Sequence, residues 1–140
     1  MLAGCSRRKA EAPAPALELY AGGIAPQLRV RCGHRLDLRR RIFFLSARHG
    51  LVRADTRLCH YDQPLTPGRT AALRPLIGRT LRRHLAQLAV PARLLVVADP
   101  LYLVLVADLL AQEDRPIVRW IPDPRGWIEA AAVLDEWNWP

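Results

Sequence analysis

Arg93-Leu94-Leu95-Val96-Val97-Ala98-Asp99-Pro100 is the stretch whose reading decides the fold. A short apolar run stopped by Asp-Pro reads as a buried strand, because the length is wrong for a helix and proline cannot continue the ladder. Residues 41–46, Arg-Ile-Phe-Phe-Leu-Ser, repeat the pattern and end at the polar group Ser46-Ala-Arg-His-Gly50. Residues 116–121 give a further strand, and residues 1–4 the last part of a first one. Between them lie helical patterns. Leu17, Tyr20, Ile24 and Leu28 fall at helical spacing, with Gly22-Gly23 and Pro26 breaking the stretch in two. Leu73, Ile77, Leu81 and Leu85 recur every four residues in a long helix that starts at Thr66 or Thr70, runs to about residue 88 and is ended by Pro91. Residues 101–112 are apolar nearly all round and predict a buried helix, and residues 127–137 a final one.

Strands separated by helices imply parallel crossovers. The expected fold is therefore α/β: a single-domain, open, mostly parallel sheet of about four strands with helices on both faces, spanning residues 1–140. Hydrophobic residues make up 51% and charged ones 24%, a globular composition. The formal charge is +8 and the pI near 10.6, which attracts phosphates, nucleic acid or an anionic surface. No segment reads as a signal peptide or a membrane span. Three widely spaced cysteines, Cys5, Cys32 and Cys59, without a CxxC pair, predict a reducing cytoplasm rather than a disulfide framework or a zinc site. The four histidines show no helical pairing, and no metal or cofactor is called for.

In an open parallel sheet, ligands bind beyond the carboxyl ends of the strands. All four expected strand ends are polar: Cys5, Ser6 and Lys9; Ser46, Arg48, His49 and Gly50; Asp99 and Tyr102; Asp123, Arg125, Gly126 and Trp127. Lys9 is the one lysine against 20 arginines. Lysine is a compact point charge whose pKa responds to burial, and arginine is a rigid fork that stays protonated. Either the site needs the ammonium, or one lysine has survived on a solvated face. Gly4-Cys-Ser-x-x-Lys9 has the form of a tight turn whose N–H groups make an anion nest beside the lysine. Cys5 reads as a nucleophile activated by neighbouring cations, or as a small residue at a strand end. His49 suits general acid–base work, or caps its turn. Tyr61 and Asp62 fold back over the site, or only organise their loop. Trp127 offers a plate for a base.

Gly-Cys-Ser-x-x-Lys (4–9), Pro-Ala-x-Glu-Leu-Tyr (15–20), Leu-Ser-Ala-Arg-His-Gly-Leu (45–51) and Asp-Thr-x-x-x-x-Tyr-Asp (55–62) together resemble small bacterial YaaA-like proteins of uncertain activity, labelled as peroxide-stress proteins. The likeness covers about the first half of the chain. It implies protection of DNA in oxidative stress, with DNA binding, and singles out Cys5, Ser6, Lys9, Tyr20, Ser46, His49, Gly50, Tyr61 and Asp62.

Three functions are expected to compete. The first is a nucleotide- or nucleic-acid-directed protein, with Ser6, Lys9 and Arg48 on phosphate or ribose and Tyr20, Tyr61 or Trp127 on a base. As a hydrolase of a glycosidic bond or nucleotide, it would use Asp62 or Asp99 as carboxylate and His49 as acid or base. The second is a non-catalytic DNA-binding stress protein, held by Arg79, Arg82 and Arg83 of the long helix. The third is a redox or acyl-transfer enzyme centred on Cys5 and His49. Oligomeric state is not legible.

Overall fold

The structure is a computed structural model, and it describes residues 1–88 and 92–140. In chain order the elements are β1 (Leu2–Gly4), β2 (Ala14–Pro15), α1 (Ala16–Leu19), α2 (Ala25–Cys32), α3 (Leu36–Arg39), β3 (Phe43–Ser46), β4 (Gly50–Arg53) and β5 (Arg57–Leu58). There follow α4 (Pro67–Leu85), β6 (Arg93–Val97), α5 (Pro100–Val104), α6 (Ala107–Leu110), β7 (Ile117–Ile121) and α7 (Trp127–Glu136). The main sheet has five strands in the order β4-β3-β1-β6-β7, and β2 and β5 pair as a separate antiparallel ribbon. The pairs β3–β1, β1–β6 and β6–β7 are parallel, as expected; only β4 runs antiparallel, at the edge.

The alternation of side chains along each strand explains why both faces carry helices. Ala3, Phe44, Leu95 and Val97 face one core, built with Leu17, Leu28 and Leu134 of α1, α2 and α7. Leu2, Leu45, Leu94 and Val96 face the other, built with Leu73, Ile77 and Leu81 of α4 and with Leu105 and Leu109. A period of two in the strands and of four in α4 thus meet on the same two surfaces.

The long helix begins at the first of its two expected starts. Thr66 caps it, its hydroxyl accepting the Arg69 N–H at 3.2 Å, with Pro67 in the first turn where no N–H is needed. The expected stop at Pro91 lies outside the described residues. Proline also opens α2: Pro26 stands in its first turn and starts the helix, while Gly22-Gly23 separates it from α1.

Two expectations are corrected. Residues 101–112 do not form one buried helix. They break at Leu105-Val106 into α5 and α6, and Val104 is left 40% exposed. A segment apolar on every side cannot bury every side in one straight rod. The break turns Leu105, Val106 and Leu109 inward while Asp108 reaches Arg74 of α4 at 3.0 Å. The second correction is that the polar group after β3 leads into a fifth strand. Ala47, Arg48 and His49 form a three-residue hairpin loop, closed where Ser46 pairs with Gly50, and Gly50 has φ +75°. Glycine adopts that conformation freely, and it is the usual end of such a loop.

Among the described residues no helix is long and apolar enough to cross a membrane. Because the left-handed conformation at Gly50 penalises any Cβ, Gly50→Ala is expected to lower stability by about 1–2 kcal/mol in urea unfolding. An unchanged midpoint would contradict the hairpin.

Candidate functional site

The strand order makes β1 the switch point. The chain leaves β1 to add β3 on one side, then crosses to add β6 on the other, so the crevice beyond β1 is where a doubly wound sheet opens. A cleft of about 650 Å³ lies there. One wall is Gly4 to Lys9, and the facing walls include Gly22-Gly23, Asp62 to Leu65, Asp99, Tyr102 and Arg125.

The first wall is pinned by hydrogen bonds. Cys5 N–H donates to the Leu45 carbonyl at 2.9 Å, extending the β1–β3 ladder by one residue. The Ser6 hydroxyl donates to the Arg8 carbonyl at 2.5 Å and accepts the Gly22 N–H at 3.1 Å. Glycine suits that approach, since a Cβ on Gly22 would stand 3.1 Å from the Ser6 Cβ and would push the turn back by a few tenths of an ångström. Arg8 carbonyl in turn accepts from Ala21 N–H, and Ala10 N–H donates to Leu19, so residues 8–10 lie against the end of α1. The N–H groups of Ser6, Arg7 and Arg8 have no such backbone partner among the described residues. Ser6 therefore shapes the turn, and what the turn offers a ligand is its free N–H groups and its cations.

Beneath the cleft runs a chain of hydroxyls. Ser46 Oγ accepts the N–H groups of Arg48 and His49 at 3.2 and 3.1 Å. With both acceptor positions taken, its own proton goes to Tyr61 Oη at 2.6 Å, and Tyr61 Oη meets Tyr20 Oη at 2.6 Å. Ser46, Tyr20 and Tyr61 are all buried. The Lys9 ammonium sits 4.3 Å above the Tyr61 ring, a cation–π contact that holds it at the cleft. Cys5 Sγ is 3.1 Å from Tyr102 Oη. Burial, and then the Cys5 sulfur, push the Tyr102 phenol up; burial and the same sulfur push Tyr61 up to about 12. Burial and then Tyr61 raise Tyr20 as well. All three phenols of the chain stay protonated at neutral pH, and each has a hydrogen-bond partner: Tyr61 has Ser46 and Tyr20, and Tyr102 has Cys5.

The structure thus brings Cys5, Ser6, Lys9, Asp62 and Asp99 to one cleft, with Tyr20, Tyr61 and Ser46 as its floor supports. Asp99 lines the cleft and also caps α5, its Oδ1 accepting from Leu101 and Tyr102 N–H at 3.0 and 3.2 Å. Arg48 and His49 stand outside it on the hairpin, both exposed, with the His49 ring edge-on to Tyr61 at 5.0 Å. Partial burial and the Arg48 charge lower the His49 pKa below its ordinary value. Gly50 faces Leu73 and Ile77 of α4, and Trp127 packs on the core rather than lining the cleft. Arg79, Arg82 and Arg83 are exposed on α4, away from the cleft. Asp55 of the fourth motif is tied at 2.6 Å to Arg39, which also binds Glu18.

Sequence reasoning misses Gly22-Gly23 as a wall, since it reads the pair only as a helix breaker, and it misses Tyr102 as the Cys5 partner. The glycine pair itself is the available signal, because two adjacent glycines permit close backbone approach as well as a break.

A family model matches residues 1–119, which include the whole cleft except Pro124 and Arg125. The chain belongs to DUF6884, a family of unknown function. No curated protein and no solved structure matches it. The family match spans β1 to β6 and most of β7, so the switch-point architecture is part of what it covers.

The phenol chain gives a direct test. Raised folded-state values mean that unfolding releases phenol protons, so this contribution to stability is intact below about pH 10 and is lost as pH rises above it. Ultraviolet absorbance is expected to show no tyrosinate in the folded protein at about pH 10, with ionisation arriving together with unfolding. A tyrosine titrating near pH 10 in a folded protein would contradict the network.

Proposed function

We propose that the cleft at the β1 switch point binds a nucleotide-like ligand. Its phosphate lies against Lys9, Arg7 and Arg8 and the free N–H groups of the turn, and its sugar and base lie toward Tyr102 and Leu101. The observation that carries the reading is where the lone lysine stands: in the crevice where an open α/β sheet binds ligands, held there by an aromatic face. Four cations line the cleft, Arg7, Arg8, Lys9 and Arg125, against two carboxylates, Asp62 and Asp99. That balance favours an anionic ligand.

Asp62 is the residue through which hydrolysis of a glycosidic or phosphate bond would run, since Asp99 also serves α5. His49 would act on the reaction only through Tyr61, as a positioning residue. A cytoplasmic location accords with the three free cysteines. The non-catalytic reading, DNA binding in a YaaA-like stress role, draws on the exposed Arg79, Arg82 and Arg83. The Cys5-centred reading draws on the sulfur's place beside Tyr102 in the same cleft.

Thermal unfolding of the protein and of Lys9→Ala, against nucleobases, nucleosides, nucleotides and sugar phosphates, separates these readings. A ligand that binds only the folded state raises the midpoint by mass action. The expected result is a rise with phosphate-bearing ligands that Lys9→Ala removes. A rise equal in both proteins, or none with any ligand, would overturn the proposal.

A further inference from the structure

A second cavity, of about 540 Å³, opens at the opposite end of the sheet, where β1, β3 and β6 begin and β4 ends. Its described lining holds four arginines, Arg40, Arg41, Arg53 and Arg93, together with His84, and no Asp or Glu. Six other arginines, Arg31, Arg35, Arg39, Arg74, Arg119 and Arg125, each meet a carboxylate. None of the four cavity arginines forms an ion pair among the described residues, and all four are exposed.

The fold explains only part of this charge. Helices α4 and α7 both end at this cavity, and a helix C-terminus carries about half a negative charge. Two such ends offset about one of the four guanidinium charges. The surplus faces an open cavity, which like charges gathered without partners leave ready for an anion.

Aromatic rings are interleaved with the cations. Arg53 lies 5.8 Å over the Phe43 ring, His84 packs on the same ring at 5.1 Å, and Arg53 reaches His84 Nδ1 at 3.3 Å. Arg93 lies 5.8 Å over the Trp137 ring, and Trp139 completes the lining. Guanidinium groups within about 6 Å of aromatic rings, beside further unpaired arginines, form a surface suited to single-stranded nucleic acid. Its bases stack, and its phosphates meet the cations. We propose that this cavity is a binding site for a single-stranded nucleic-acid segment, separate from the cleft at the other end of the sheet. An acidic peptide would satisfy the charges but brings no bases to stack on the aromatic and guanidinium groups.

The test uses a fluorescein-labelled oligothymidylate of about 12 nucleotides, within the usual range of site sizes. Fluorescence anisotropy follows its binding to the full chain over a range of salt concentrations. Each cation–phosphate pair contributes about 0.7 to the salt slope for a single strand. Arg53→Gln with Arg93→Gln is therefore expected to cut the slope by about 1.4 and the low-salt affinity by about tenfold or more. Lys9→Ala and the triple Arg79→Gln, Arg82→Gln, Arg83→Gln variant are expected to leave most of the binding in place. Should the first pair unfold the protein, Arg40→Gln with Arg41→Gln carries the same expectation. The proposal is overturned if the folded cavity variant binds like the parent, if the parent does not bind, or if polyglutamate of equal charge competes as well as the oligonucleotide.

Discussion

Pairing of β1 along both of its edges is the constraint on which the rest of the structure depends. Leu2, Ala3 and Gly4 pair with Phe43, Phe44 and Leu45 on one side, and Leu2 and Ala3 with Val96 and Val97 on the other. Three residues thus join the β4–β3 hairpin to the β6–β7 pair. Leu2 and Ala3 each enter a different core, so both layers of helices lean on the same short strand. Gly4 at its end stands close to Ala98, where a Cβ would be 3.5 Å from the Ala98 side chain. The turn that follows enters the crevice directly, with no intervening residues to displace it.

From that anchor the cleft is assembled out of loops that have little regular structure of their own. The hairpin loop after β3 is held by Ser46, which passes its remaining hydrogen bond to Tyr61; Tyr61 binds Tyr20 at the end of α1 and carries Lys9 on its ring. One buried hydroxyl chain therefore fixes the positions of the hairpin, the loop around residue 61, α1 and the lysine. Buried polar groups of this kind are costly unless each is satisfied, and here each finds a partner. Loop segments that bury hydrogen-bonded tyrosines have a reason to be there beyond covering the core.

Much of this is legible in the sequence because it rests on local periodicity. The apolar runs at 43–46 and 93–97 and the four-residue repeat of Leu73, Ile77 and Leu81 report their burial without knowledge of their partners, whereas 117–121 forms its strand with only Ile121 buried. The lone Lys9 and the Gly4-Cys5-Ser6 turn reach the cleft for the same reason: a strand end in a parallel sheet has one place to go. What is not legible depends on tertiary pairing. Gly50-Leu-Val-Arg53 has a strand's alternation only once it is known to lie against β3, and residues 101–112 break so that Leu105, Val106 and Leu109 can enter the core against α4, a partner distant in sequence. Ser46, Arg48, His49 and Gly50 share one motif, yet the hairpin sends them to four surroundings: the buried chain, two exposed positions and the packing surface of α4. Adjacent positions in a turn point in different directions, and no one-dimensional pattern reports which.

The arginines divide the same way. Arg39 holds Glu18 and Asp55 together, while Arg7 and Arg8 line the cleft beyond β1 and Arg40, Arg41, Arg53 and Arg93 line the cavity at the other end of the sheet, all six without a carboxylate partner among the described residues. The account's central claim concerns the end beyond β1. It is tested most directly by following backbone amide resonances while the protein is titrated with adenosine monophosphate. The predicted result is that the largest shifts fall on Cys5 to Lys9, Gly22, Gly23 and Tyr102. Shifts confined to the face of α4 or to the opposite cavity, or no shift at all, would contradict it.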